Sequence, residues 1–300
     1  MRRFFRWIVF LGLVGLAVFW GVTRPTRIDP DNLVGLTADV ARGERVFYAG
    51  GCASCHAGPD ASAEEKLVLA GGRAFPSPFG TFYAPNISPS ATGLAGWTDE
   101  DLANAMLHGT SPDGSHYFPA FPYTSYARAT LQDIVDLKAF LDTLPVSDAE
   151  NLAHDVPFPF NIRRSLGGWK MLFASANPRI DVGDDPQLQL GQYLVEGLGH
   201  CSECHTSRNF LGGIISDRWL AGGPNPDGKG RIPNITPHET GLTWSNSDIE
   251  EYLSSGFTPE FDVAGGQMAD VVQNTGKLTR EDRAAMAAYL KAVPALETRK

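Results

Sequence analysis

Two short motifs constrain this chain more than any other feature: Cys52-Ala53-Ser54-Cys55-His56 and Cys201-Ser202-Glu203-Cys204-His205. Each reads C-x-x-C-H, the attachment signature of c-type haem. Two thiols add across the two vinyl groups of one haem, and the adjacent His reaches the iron from the proximal side. The chain has four cysteines, and the two motifs use all of them. Paired disulfides would suit an oxidising compartment, but they require no His after each pair. A zinc site built from C-x-x-C pairs places both within one small module, whereas Cys201 lies 146 positions after Cys55. The motifs therefore predict two covalently attached haem c groups. Cys52, Cys55, Cys201 and Cys204 would hold them, with His56 and His205 as proximal iron ligands.

The second half of the chain repeats the first. Leu69-Ala70-Gly71-Gly72 returns as Leu220-Ala221-Gly222-Gly223, and Pro85-Asn86-Ile87 as Pro233-Asn234-Ile235. Thr92-Gly93-Leu94 returns as Thr240-Gly241-Leu242, and Trp97 as Trp244, all at offsets near 148. Such a repeat predicts two homologous modules. Each has a helix before the motif, Val40 to Tyr48 and Leu188 to Leu198, then a Gly/Pro-rich loop. Capped acidic helix starts follow at Thr98-Asp99-Glu100-Asp101 and Ser245-Asn246-Ser247-Asp248. A closing helix ends each module, Leu131 to Leu144 and Arg280 to Ala292. Strand signals are sparse. The expectation is a mainly α chain: two tandem class I cytochrome c domains, residues 35–146 and 187–296, joined by a linker at 147–186. That linker is Pro/Phe-rich and then helical from Ile162 to Ala174, with Trp169, Leu172 and Phe173 expected to pack between the modules as a spacer; the alternative is a belt that docks a partner subunit.

The N-terminus reads differently. Arg2, Arg3 and Arg6 precede an uncharged run of 17 residues from Trp7 to Thr23. That is long enough to span a bilayer as a helix, and the basic flank places residues after Arg24 on the outer face. No A-x-A-like cleavage site follows. Residues 1–24 are therefore expected to form an uncleaved transmembrane anchor, ahead of a cleaved signal. Either reading puts the haem modules in the periplasm, at the cytoplasmic membrane. The net charge of −9 argues against nucleic acid as a partner and suits basic redox partners.

The modules differ in their distal iron ligands. Met268, in Gly265-Gly266-Gln267-Met268-Ala269, is the expected sixth ligand of the second haem, because a thioether favours ferrous iron and raises the potential. The repeat puts Phe121 at the corresponding place in the first module, and Phe has no donor atom. His116 is the nearest alternative in sequence, though a partly exposed loop His is its plainer reading. Met106 and Met286 read as core. His154, His200 and His238 have no repeat partner and no expected iron role.

The chain after residue 24 resembles the multihaem cytochrome c subunits of bacterial membrane-bound alcohol, gluconate and fructose dehydrogenases. The resemblance rests on both C-x-x-C-H motifs, Pro85-Asn86-Ile87, Trp97-Thr98-Asp99-Glu100-Asp101, Pro119-Ala120-Phe121-Pro122-Tyr123, Cys204-His205-Thr206-Ser207-Arg208-Asn209 and Met268-Ala269-Asp270-Val271-Val272. It implies electron transfer from a dehydrogenase towards quinone or a terminal oxidase. Two departures stand out: the family subunits often carry three haems, and their motif often reads Pro-Ala-Met-Pro-Tyr where Phe121 stands. The competing function is a haem enzyme with an open iron site at the first haem, peroxidase-like or oxidising a sulfur compound. A ligand sensor would need an output domain that the sequence lacks.

Overall fold

Two glycines set the architecture by letting helices touch backbone to backbone. In the computed structural model, which describes residues 1–225 and 230–298, helix α1 (Arg2–Val22) precedes α2 (Val40–Ala49). α2 crosses α6 (Leu131–Leu141) at Gly43, where a Cβ would sit 2.0 Å from the Asp136 carbonyl oxygen. The crossing recurs where α8 (Pro186–Gln192) meets α12 (Arg280–Ala292). There a Cβ on Gly191 would sit 2.0 Å from the Ala285 carbonyl oxygen. Aromatic rings fill the space beside each contact. Phe47 meets Phe140 at 5.2 Å between centroids, and fully buried Tyr289 lies against Gly191.

Local chemistry starts and stops these helices where the sequence places the signals. Asp39 accepts hydrogen bonds from the Ala41 and Arg42 amides, and Asp185 caps α8 with Pro186 in its first turn. Capping boxes close at Thr98–Asp101 for α4 (Asp99–His108), at Ser245–Asp248 for α10 (Asn246–Ser255) and at Thr279–Asp282 for α12. Each cap contributes about 1 kcal/mol. After Gln192 the helix widens into a π-helical segment, Tyr193–Leu198. α6 ends at Leu141, three residues before the expected Leu144.

Short helices carry the two cysteine motifs: α3 (Cys52–His56) and α9 (Ser202–His205). The chain enters both through a left-handed residue, Gly51 at φ 59° and His200 at φ 38°. Glycine adopts that conformation freely, whereas His200 is strained there. Two small antiparallel ribbons follow the motifs. β1 (Ala74–Ser77) pairs with β2 (Gly80–Tyr83), and β3 (Gly223–Pro224) with β4 (Arg231–Ile232). In the repeated Pro-Asn-Ile turns, each Asn ties its loop to the chain leaving the closing helix. Asn86 Nδ2 donates to the Ser147 carbonyl at 2.7 Å, and Asn234 Nδ2 to that of Leu296 at 2.6 Å.

The remaining elements bring the two copies together. α5 (Tyr123–Tyr126) packs on the Tyr193–Leu198 segment, and α11 (Gln267–Thr275) packs on α2 and α3. Arg45 on α2 pairs with Asp282 on α12 at 2.5 Å. In the reciprocal contact, Tyr193 donates its hydroxyl proton to Asp133 on α6. One apolar cluster runs through both copies.

α7 (Ser165–Phe173) bridges them. Lys170 Nζ donates to the His108 and Gly109 carbonyls at 2.6 and 2.7 Å, while Trp169 Nε1 donates to the Leu211 carbonyl at 2.9 Å. The expectation for this linker is met by Trp169 and by Phe173, which lies over Gly213. It is not met by Leu172, which is exposed. On a short helix Leu172 points opposite to Leu166 and Lys170, which face the protein. α1 projects from the body with none of its residues buried, and is long and apolar enough to cross a membrane.

Candidate functional site

The two motif histidines, the expected proximal ligands, have matching environments. His56 Nδ1 lies 2.8 Å from the Pro85 carbonyl oxygen, and His205 Nδ1 lies 2.8 Å from that of Pro233. A carbonyl only accepts, so Nδ1 carries the proton in each ring and Nε2 keeps its lone pair for a metal. Burial pushes both imidazoles below their ordinary pKa, against the pull of those carbonyls, which keeps them neutral as ligation requires. In both copies the proline carbonyl of the repeated Pro-Asn-Ile turn fixes the imidazole through Nδ1.

The cysteines fit thioether formation. They form no disulfide. Among the described residues no three His, Cys, Asp or Glu side chains converge as a metal-ion site. Burial pushes the Cys52 thiol up to about 12, Cys55 to about 11 and Cys201 to about 12, and raises Cys204 as well. Such apolar surroundings disfavour thiolates and suit the neutral thioethers by which a haem is held.

The two motifs face each other across the interface. Just before the first, the Gly50 carbonyl accepts from Tyr126 at 3.0 Å and from His200 Nε2 at 3.3 Å, and His200 immediately precedes the second motif. The x positions are also contacted from the opposite copy. Ser54 Oγ accepts from Asn274 Nδ2 at 2.8 Å. Glu203 Oε1 accepts from Thr124 and Ser125, both at 2.9 Å. Burial opposes the Glu203 carboxylate, but the Arg208 guanidinium and these hydroxyls outweigh it and hold its pKa below the usual range. Asp270 on α11 reaches Lys66 at 2.8 Å and Arg73 at 3.2 Å, and Arg73 donates to the Ser54 carbonyl at 2.5 Å. Motif reading missed this cross-docking. Its only trace is that the x positions Ser54 and Glu203 are polar, as are Asn274, Thr124 and Ser125 after the distal positions.

The distal candidates separate clearly. Met268 lies in the first turn of α11, not on the preceding loop, and is half-buried against the apolar cluster. Phe121 sits among Tyr117, Tyr123 and Tyr126, with ring centroids 5.8, 6.4 and 5.7 Å away. His116 is occupied elsewhere. Its Nε2 lies 2.9 Å from the Thr23 carbonyl, and its Nδ1 lies 3.0 Å from Lys170 Nζ. Both ring nitrogens are engaged at the base of α1, so His116 has no lone pair to offer iron in this arrangement. Met106 and Met286 are buried core residues. Trp97 and Trp244 are half-buried on the apolar cluster.

A family model described as "Cytochrome c" matches residues 40–145. The chain is 59% identical over 286 residues to "Diheme cytochrome c-type" of Cereibacter sphaeroides, covering 95% of this chain and 96% of that protein. It belongs to the cytochrome c family. The cytochrome is also 35% identical to the fructose dehydrogenase cytochrome subunit of Gluconobacter japonicus, over 98% of this chain and 60% of that subunit. It is 37% identical to the cytochrome c subunit of the quinone alcohol dehydrogenase of Gluconobacter oxydans, over 86% of this chain and 55% of that subunit. It therefore spans a little over half the length of these dehydrogenase subunits. The resemblance drawn from the motifs is thus shown, with covalent haem c as cofactor and electron transfer as the activity that the family supports.

Proposed function

We propose that this is a membrane-anchored dihaem cytochrome c. It would carry electrons between a periplasmic or membrane dehydrogenase and the respiratory chain, on the quinone or oxidase side. The units are residues 35–146 and 187–296 around the linker 147–186, with 1–24 as the anchor. The observation that carries the reading is the reciprocal docking at the motifs, where Asn274 meets Ser54 and Thr124 and Ser125 meet Glu203. Both attachment segments border one buried interface, the arrangement an internal electron relay needs.

When bound, haem c supplies a one-electron ferric/ferrous couple. The chain's own residues do the rest. Cys52 and Cys55, and Cys201 and Cys204, would hold the two groups, and His56 and His205 would offer Nε2 with their orientation set by Pro85 and Pro233. Met268 is the proposed sixth ligand of the second unit. The shared apolar cluster lowers the local dielectric and keeps water away.

Quantifying haem per chain as the pyridine haemochrome tests the count. Two are expected, and one would overturn the dihaem reading. Reduction by a dehydrogenase preparation, followed by reoxidation with a quinone analogue, tests the route.

A second reading attaches to the first unit alone. Phe121 has no donor atom, and His116 is engaged at both nitrogens. These observations favour an iron position open to a small exogenous ligand, and with it a peroxidase-like or sulfur-oxidising activity. Carbon monoxide binding to the reduced protein tests this: one equivalent per chain supports an open site, and none removes it.

A further inference from the structure

The linker exposes more apolar surface than a packed spacer requires. Phe158 is 78% exposed, Met171 66%, Leu172 71% and, from the loop beneath them, Phe210 87%. Phe160 and Ile162 are exposed beside them. The segments that carry these residues are tied together. Phe160 stacks edge-on against Phe79 at 5.2 Å, Phe79 lies over Gly212, and Trp169 binds the Leu211 carbonyl. Large apolar side chains exposed on segments tied together in this way point to an interaction surface.

The occupant follows from what the patch adjoins. α1 ends at Thr23, which is buried against Gly167 of α7, where a Cβ would lie 2.6 Å from the Thr23 carbonyl oxygen. Arg164, just before α7, donates to Thr23 Oγ1 at 2.9 Å. Its guanidinium lies over the Trp20 ring at 4.3 Å. His116 holds the Thr23 carbonyl from the other side, and Thr110 and Asn104 hold Thr26 and Ile28. The outer end of α1 is thus clamped to α7, not tethered by a loose hinge. An indole paired with arginine is the side-chain chemistry of the membrane–water boundary, and exposed Arg24 follows directly after Thr23.

We propose that the outer face of α7, with Phe158, Phe160, Ile162 and Phe210, is a second membrane contact: an apolar apron lying in the headgroup–acyl boundary of the outer leaflet. The ligand is a lipid surface, met in the manner of interfacial helices. The apron fixes the orientation of the haem-bearing body relative to the bilayer, which a single helix would leave free to swivel. This inference rests on α1 spanning the membrane.

The test uses the full chain in lipid nanodiscs, with a nitroxide at Leu172→Cys or Phe158→Cys. The native cysteines are consumed by haem attachment, so the introduced thiol is the one labelled. Collision with oxygen, which partitions into lipid, is compared with collision with a water-soluble nickel chelate in the oxidised protein, each referred to the same label without either reagent. Phe261→Cys, on a loop of the second unit at a position 94% exposed, serves as the aqueous reference, and Leu13→Cys in α1 as the lipid reference. The expected result is an oxygen-to-nickel ratio at Leu172 and Phe158 several-fold above that at Phe261, approaching that of Leu13. If both apron labels match Phe261 while Leu13 reports lipid, the apron is overturned and the anchor stands. An aqueous Leu13 overturns anchor and apron together. Apron labels that are aqueous alone, but become shielded when a dehydrogenase is added, overturn the lipid assignment in favour of a protein interface.

Discussion

Asn274 Nδ2 donates a 2.8 Å hydrogen bond to Ser54 Oγ, across 220 positions of chain. Ser54 is an x residue of the first C-x-x-C-H motif, and Asn274 sits six residues after Met268 on the same helix. The helix that carries Met268, the proposed sixth ligand of the second unit, is therefore seated on the first C-x-x-C-H motif. Asp270, between them in sequence, reinforces the contact through Lys66 and Arg73.

That seating predicts coupling between the units. Asp270→Asn removes a half-buried ion-pair cluster and should cost about 1 kcal/mol of stability. With Met268 as the proposed sixth ligand, it should also weaken the far-red sulfur-to-iron charge-transfer band of the second haem, because α11 carries Met268. A variant with lower stability but an unchanged band would show that α11 holds the interface without positioning Met268.

The helix crossings at Gly43 and Gly191 leave no room for a methyl group. Gly43→Ala or Gly191→Ala forces a Cβ into a backbone carbonyl, and the helices must part. A loss of about 1–3 kcal/mol is expected for each, read as a lower urea midpoint. An unchanged midpoint would mean that the crossings are looser than described.

The asymmetry at Phe121 is spectroscopically visible. As isolated and oxidised, the protein should show one low-spin and one high-spin iron by electron paramagnetic resonance. Phe121→Met should convert the high-spin signal to low-spin and raise that haem's potential. Met268→Ala should lower the potential of the other. Two low-spin signals in the unaltered protein would mean that His116, released from Thr23 and Lys170, or another donor has moved to the first iron.

Lys170 gives a pH dependence. Burial pulls its pKa down from 10.5 to about 7, with the Arg163 charge adding to the effect. The folded protein releases this proton near neutrality, while the unfolded chain keeps it to 10.5. Across that window the unfolded state binds more protons, so this group makes stability rise with pH from about 7 upward. Lys170→Met should flatten the rise, measured as urea midpoints at about pH 7 and about pH 9. A slope that persists in the variant would assign it to another group.

Much of this protein is readable along the chain because the relevant interactions are local. The C-x-x-C-H spacing, the Thr98, Ser245 and Thr279 caps and the hydropathy of α1 each depend on residues a few positions apart. The repeat added the one non-local inference that sequence supports well, that Phe121 stands where Met268 stands. Helix boundaries drifted by a few residues where fraying or the π-helical turn intervened.

What the linear order concealed is every contact made between the copies and with the linker. Nothing near Ser54 announces Asn274, and nothing near His116 announces that Thr23 and Lys170 will claim both of its nitrogens. The fate of Leu172 was equally hidden, since an apolar residue on a short helix packs inward or outward according to what else docks there. Those outcomes depend on which surfaces meet when distant segments pack, and side-chain periodicity carries no record of that. The chemistry of the two attachment sites is written in the motifs, while their mutual arrangement arises in the packing of α5, α7 and α11 against them.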